Sequence, residues 1–412
     1  MSKDKNESSV IIVAGFSRSH LLSTIGLLHS IGIRVFGVSA IAPKLNFLSN
    51  RGLTVFQMNR FTYRRQLMGN ACIKQVRFAE LFYQLAVRIS NPTSSKLYRF
   101  LAEGSFKLFS KNAYRYSNRI DHNNKASLLI RSGFGSAFER DSRRFISDVS
   151  LPHPNVLQSL IKTGEMKFEP IDKKDVISKL ILEDTKRADV ILVNSDFVKR
   201  TFEFAGVPAS KIVVAYLPPM GIFQRIIEQP KRIMKSENGF LKVLFAGTLE
   251  ERKGINEILS VAETALKLSL KFEFIFIGNW GKDTTHMEAR MNKLTNCRID
   301  KWKSQAELAK AMEESDVFLF PSRAEGGARV VTEAMCVGMP IITTYNSGSP
   351  IRHLHDGIIV KPLDSVAIMK WLKELSANNS LFLQLASQSR KRIESLGTRE
   401  SYLEIVRKIC SV

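Results

Sequence analysis

The chain of 412 residues is 44% hydrophobic, and its 61 Lys+Arg against 39 Asp+Glu leave a formal net charge of +22. That length is too great for one ordinary core and suits two packed domains, which excludes a small stapled module. The four cysteines (Cys72, Cys297, Cys336, Cys410) are scattered without a C-x-x-C pair, which argues against a zinc knuckle or disulfide framework and for a reducing, cytoplasmic setting.

The N-terminus, MSKDKNESSV, is polar and leads into a short apolar stretch, so no secretory signal is expected. Next come a buried strand, a turn at Gly15, an amphipathic helix over Leu21–Leu28 and a second strand over Arg34–Val38, which together make a βαβ unit. Residues 125–220 continue in this idiom. KASLLIRSGFG is strand then turn, Ile177–Arg187 a helix, ADVILVNS a strand, DFVKRTFEFAG a helix and KIVVAYLPP a strand closed by prolines. Ser195 is expected to cap the helix that starts at Asp196.

Prolines, charge and weak periodicity mark a break at 218–240, within which 223–240 is read as the interdomain linker. The βα rhythm then restarts with LKVLFAG, INEILSVAETALKL, KFEFIFIG, AELAKAMEES, DVFLFPS, ARVVTEAMCVG, MPIITT and GIIVKP. Alternating strands and helices imply an α/β fold of two Rossmann-like, doubly wound parallel-sheet domains, 1–222 and 241–390. Their cleft faces the carboxyl ends of both sheets. Apolar runs such as Leu241–Gly247 and Phe272–Gly278 fall far below the ~18 residues of a spanning helix, so any membrane contact is expected to be peripheral.

Residues 60–144 depart from this rhythm. They carry 17 Lys/Arg and 5 Asp/Glu, so much of the basic character is local. Basic and aromatic residues interleave in YRRQLMGNACIKQVRFAELFYQLAVRI and SKLYRFLAEGSFKLFSKNAYRY at partly helical spacing, a pattern that suits peripheral association with an anionic membrane surface and a lipid-linked acceptor, with a soluble acceptor as the alternative.

The chemistry concentrates in DVFLFPSRAEGGARVVTEAMCVGMPIITT, residues 316–344. A buried strand is followed by a loop with Glu325, Gly326 and Gly327, then a helix bearing Glu333. Backbone N–H groups at a helix N-terminus hold a diphosphate well, and glycines let the backbone approach it, which places Gly326, Gly327 and Ala328 in that role. A carboxylate accepts hydrogen bonds from neighbouring sugar hydroxyls, and Glu325 and Glu333 are spaced to address the two ends of a sugar diphosphate.

Glu325, seven intervening residues and Glu333, inside PSRAEGGARVVTEAMCVGMPII, resemble the glutamate pair of glycosyltransferase family 4, whose fold is GT-B. The resemblance implies that Glu325 contacts the donor sugar and Glu333 the nucleotide ribose. LFAGTLEERKGINEIL, residues 244–259, is similar to the family's strand, loop and Lys-Gly helix start. By that likeness Lys253 neutralises the departing nucleoside diphosphate, with Arg252 as the second cation, because Thr248 stands where many relatives carry Arg. The family's base pocket falls near Ile299–Trp302, with Trp302 flanking the base. Gly15 corresponds to the glycine turn beneath the donor phosphates, and His153, in LPHP, to the family's histidine near the sugar. Residues 391–412 correspond to a helix that returns to the N-terminal domain.

The resemblance further implies a retaining hexosyltransferase acting on a nucleotide sugar (UDP- or GDP-linked) and a glycan or lipid-linked acceptor of envelope or exopolysaccharide synthesis. No cofactor is expected. With no Asp-x-Asp triad and no His/Cys cluster at ligand spacing, no catalytic metal is expected either. A GT-B-like epimerase or a non-catalytic sugar-nucleotide binder shares the fold-level argument. A nucleic-acid-binding protein would share the charge but leaves the glutamate pair unexplained, so nucleic acid is not an expected partner.

Overall fold

The computed structural model describes residues 9–16, 20–40, 71–89, 96–139, 141–228, 239–301, 303–396 and 398–412. In the first domain, strands β1 (Ser9–Gly15), β2 (Arg34–Ser39), β3 (Cys72–Gln75), β4 (Ser127–Arg131), β5 (Phe145–Val149), β6 (Val190–Val193) and β7 (Ile212–Val214) form one parallel sheet. Its order is β3-β2-β1-β4-β5-β6-β7. Strand β1 lies between β2 and β4, with Val10 opposite both Val35 and Ser127.

Alternate residues of a strand face opposite sides of a sheet, and β1 divides its apolar side chains accordingly. Val10, Ile12 and Ala14 pack with helix α1 (Leu21–Ser30), while Ile11 and Val13 pack on the other face. That second face is covered by the basic aromatic segment, which contributes β3 and helices α2 (Arg77–Ile89) and α3 (Lys96–Ile120). Phe106, Phe109 and Ala113 of α3 enter the core there, so part of its aromatic content is structural. Residues 60–70 of that segment lie outside the described residues. Helices α4 (Pro154–Thr163), α5 (Val176–Arg187) and α6 (Asp196–Phe204) complete the domain.

In the second domain, β8 (Leu241–Ala246), β9 (Phe272–Ile277), β10 (Cys297–Asp300), β11 (Val317–Phe320), β12 (Ile341–Thr344) and β13 (Ile358–Val360) are parallel in the order β10-β9-β8-β11-β12-β13. Helices α8 (Ile255–Lys267), α9 (Thr285–Met291), α10 (Gln305–Glu313), α11 (Arg329–Val337), α12 (Ser365–Ala377) and α13 (Asn379–Leu396) surround it; a short helix α7 (Ile222–Ile227) precedes it.

Two boundaries differ from those read in the sequence. The linker set at 223–240 begins inside α7, whose Phe223 is fully buried in the C-terminal core. Arg390 fixes this helix by donating to the carbonyls of Ile226 and Ile227, each at 2.9 Å, groups a helix end otherwise leaves unpaired. The C-terminal domain also runs past 390, because Ile393 of α13 is in the same core. Helix α14 (Arg399–Cys410) lies on the first domain. Tyr402, Val406 and Ile409 join the cluster under α1, and the Tyr402 hydroxyl meets Thr24 Oγ1 at 2.8 Å.

Candidate active site

The site is built where β8 and β11 end side by side. After β8 the chain forms a single 3-10 turn, Glu251–Lys253, which closes at Gly254 with φ of 80°. A side chain at Gly254 would collide with the Pro321 carbonyl just beyond β11, so both the positive φ and the close approach require glycine. That contact draws Arg252 and Lys253 to the loop carrying Glu325.

Lys253 Nζ and Arg252 Nη1 both lie 2.7 Å from Glu325 Oε1. Arg252 also reaches Glu250 Oε1 at 2.6 Å and the Ala324 carbonyl at 2.6 Å. Burial disfavours the charged form of Arg252, but Glu325 and Glu250 outweigh it and hold the guanidinium above its ordinary value. Lys253 Nζ stands 5.2 Å from the Phe320 ring centroid, which adds a cation–π contact. Two fixed cations therefore share one carboxylate oxygen, and Glu325 Oε2 has no partner among the described residues.

The loop's glycines meet the other domain. Gly326 packs so closely on the Ser150 carbonyl that a Cβ would overlap it, and Gly327 lies against Asn194. Ser195 caps α6 through Val198 N–H (3.2 Å) and also donates its hydroxyl to the Gly326 carbonyl. The N–H groups of Gly326 and Gly327 have no acceptor among the described residues, as a diphosphate cradle needs. Ala328 differs from the sequence expectation: its N–H is bonded to the Ser347 carbonyl at 2.9 Å.

Glu333, one turn past Arg329 on α11, is half-buried and has no hydrogen-bond partner among the described residues. Burial pushes its carboxyl up to about 7, with Arg329 offsetting only part of the effect. A desolvated carboxylate without a partner is suited to accepting from ligand hydroxyls.

The remaining expected residues, where described, make no hydrogen bond or ion pair to this cluster. Thr248 is exposed at the end of β8. Trp302 lies outside the described residues, although the preceding strand end is open, with Ile299 exposed. Gly15 has φ of 71°, and the space where its side chain would stand is filled by the Phe134 ring, so both the backbone conformation and the close approach require glycine there. His153 is a buried helix cap. Its Nδ1 accepts from Asn155 N–H (3.2 Å), its backbone N–H donates to Thr201 Oγ1 (3.0 Å), and its ring meets Phe202 edge-on at 4.8 Å. The Asn155 and Phe202 contacts hold the imidazole inside the N-terminal domain, and burial depresses its pKa to about 4.

Residues 227–392 match the family glycosyl transferases group 1. Over 284 residues the chain is 26% identical to the amylovoran biosynthesis glycosyltransferase AmsK of Erwinia amylovora, a match covering 62% of this chain and 68% of that relative. It is 25% identical over 154 residues to the capsular polysaccharide biosynthesis glycosyltransferase CapM of Staphylococcus aureus, covering 37% of this chain and 40% of CapM, less than half of that protein. The solved structure of Anabaena HepE in complex with UDP and glucose superposes with a TM-score of 0.64 at 12% identity, covering 98% of this chain and 99% of HepE. At that identity the likeness shows the fold, and the fold of this chain is GT-B.

Sequence reasoning missed two clusters. In the C-terminal domain, Arg323 binds Glu257 at 2.7 Å and Glu251 at 2.9 Å, tying the Glu325 loop to α8 and the cation turn. Both Arg323 and Glu257 are buried, and a charge in PSRAEGG beside a buried strand was the available signal. In the N-terminal domain, His20 Nε2 lies 2.9 Å from Asp148 Oδ1, and Arg131 reaches Oδ2 at 3.2 Å. Burial opposes the charge on Asp148, but His20 and Arg131 outweigh it and hold the carboxyl below its ordinary range. No sequence spacing links positions 20, 131 and 148; only a charged residue inside the apolar strand FISDV hinted at a partner.

Proposed function

We propose that the chain is a retaining, metal-independent glycosyltransferase of the family 4 type, moving a hexose from a UDP- or GDP-sugar to a glycan or lipid-linked acceptor in envelope or exopolysaccharide synthesis. The observation that carries this reading is the convergence of Lys253 and Arg252 on Glu325 beside the unbonded amides of Gly326 and Gly327. The names of AmsK and CapM support the pathway class, and the UDP and glucose bound by HepE support the donor class.

In this mechanism the bond from the anomeric carbon to the diphosphate breaks, and the acceptor oxygen forms its bond on the same face. The acceptor proton passes to a departing phosphate oxygen. Lys253 and Arg252 meet the charge that builds on the leaving diphosphate, and preorganised cations in a half-buried site need little rearrangement to do so. Glu325 orients both cations and offers its second oxygen to the sugar, while Glu333 accepts from the ribose hydroxyls. The cations take the place of a metal. Among the described residues no group of three or more His, Cys, Asp or Glu could hold a metal ion.

The acceptor reading extends to α2 and α3. Phe78, Leu81, Phe82 and Leu85 are exposed along one stripe of α2, and Phe100 at the start of α3 is 75% exposed. Lys107, Lys111, Arg115 and Arg119 continue the exposed face of α3. An apolar tip flanked by a cationic stripe fits an anionic bilayer surface, where rings enter the headgroup boundary and charges meet lipid phosphates. No helix among the described residues is long and apolar enough to cross a membrane.

A thermal-shift panel of nucleotide sugars, followed by NMR of the product's anomeric configuration with and without EDTA, tests the enzyme reading. Donor-specific stabilisation and a retained configuration insensitive to chelator are expected; an inverted product, or interconversion of the donor without acceptor, overturns it. Salt-sensitive co-sedimentation with phosphatidylglycerol vesicles, lost on Phe78→Ser with Phe82→Ser, tests the membrane face. Absence of binding at low salt removes it.

A further inference from the structure

The 3-10 turn Tyr345–Ser347 backs Glu325 on one side, where Glu325 N–H donates to Asn346 O and Ala328 N–H to Ser347 O, each at 2.9 Å. On its other side Tyr345 walls a cleft of about 400 Å³ between the two domains. Asp196 and Arg200 of α6, Tyr216 beyond β7, and Arg352 and Arg392 of the C-terminal domain also line it, beside Lys199 and Glu203, which pair with each other at 3.8 Å. These residues gather at the β6–β7 edge of one sheet and the β12–β13 edge of the other, whereas Lys253 follows β8 and Glu325 follows β11.

Positive charge in this cleft exceeds what its carboxylates neutralise. Arg200 stands 4.7 Å over the Tyr345 ring and has no carboxylate partner among the described residues. Arg392 donates to the Pro350 carbonyl at 3.2 Å. Arg352 commits its Nε to Asp356 at 2.6 Å, leaving its terminal nitrogens without a bond among the described residues. Asp196 is engaged by the Tyr216 hydroxyl at 2.9 Å. The Tyr345 hydroxyl is buried with no hydrogen-bond partner among the described residues. Burial and the adjacent Arg352 pull Arg392 below its ordinary value, which an anion between the two guanidiniums would relieve.

Guanidinium forks match phosphoryl oxygens bidentately, and two forks from different domains make a clamp. We propose that this cleft is a second anion site, taking a phosphoryl or pyrophosphoryl group, and that its occupant ties Arg200 of one domain to Arg352 and Arg392 of the other. A soluble sugar phosphate and the diphosphate of a lipid-linked acceptor share this chemistry.

Calorimetric titration of the full chain with inorganic pyrophosphate at low salt tests the site. A Lys253→Ala protein, weakened at the donor diphosphate position, is expected to keep one pyrophosphate-binding event. Adding Arg200→Ala and Arg392→Gln to it should weaken that event at least about tenfold. Arg200→Lys, which keeps charge but loses the fork, should fall between. Binding abolished by Lys253→Ala alone, or undiminished by the Arg200 and Arg392 substitutions, overturns the site and leaves the transferase reading to its own turnover assay. Competition between a sugar 1-phosphate and a short prenyl diphosphate then separates the soluble from the lipid-borne occupant, either of which supports the site.

Discussion

Lys253 Nζ and Glu325 Oε1 lie 2.7 Å apart, so a cation from the β8 loop and a carboxylate from the β11 loop hold each other in place. Glu325 keeps a second bond to Arg252 when Lys253 is removed. Lys253→Ala should therefore lower turnover by about 10²–10³-fold while shifting the melting temperature by only a few degrees. Steady-state kinetics beside a thermal melt checks this, and a near-native kcat would take Lys253 out of the chemistry.

Gly326 touches the Ser150 carbonyl of the opposite domain with no room for a methyl group. Overpacking of this kind costs about 1–3 kcal/mol, so Gly326→Ala should weaken nucleotide-sugar binding roughly tenfold and increase the radius of gyration in small-angle scattering. Gly104→Ala, a helical position with open space around the added carbon, is the control expected to change neither.

Glu333 gives stability a distinctive pH dependence. The unfolded chain releases this proton near 4.5 and the folded chain keeps it until about 7. Across that window the folded state binds more protons, so its contribution to stability falls as pH rises, by on the order of 3 kcal/mol at most. Urea denaturation at a series of pH values should show this loss in the wild type and not in Glu333→Gln; superimposable profiles would mean that the carboxyl is not desolvated.

His153 acts with the opposite sign. Its imidazole, ordinarily titrating at 6.5, is depressed to about 4 by burial, so stability falls as pH drops from 6.5 towards 4. His153→Asn keeps a capping acceptor and removes the titration. That variant should resist acid better than the wild type with turnover unchanged. A loss of turnover at constant stability would return the ring to the reaction.

The sequence carried the C-terminal sheet most clearly, because strands buried on both faces are unbroken apolar runs such as LKVLFA and FEFIFI. Helix α7 was hidden in an expected linker: IFQRII is too short to show a period, and its place depends on Arg390, more than 160 residues away. The glutamate and lysine motifs were legible because each lies within one loop. The direction of the His153 ring was not, since the Phe202 ring, 49 residues on, helps decide it. Ala328 was assigned from its position at a helix start, but an amide there is open to a ligand only when no neighbouring carbonyl, here that of Ser347, claims it first.

The return of α14 to the first sheet has a mechanical consequence. Backbone crosses the gap between domains twice, once between Val214 and Ile222 and again between Leu396 and Arg399. Two crossings restrict relative movement of the domains more than one would, and the contact of Gly326 with Ser150 marks their closed position.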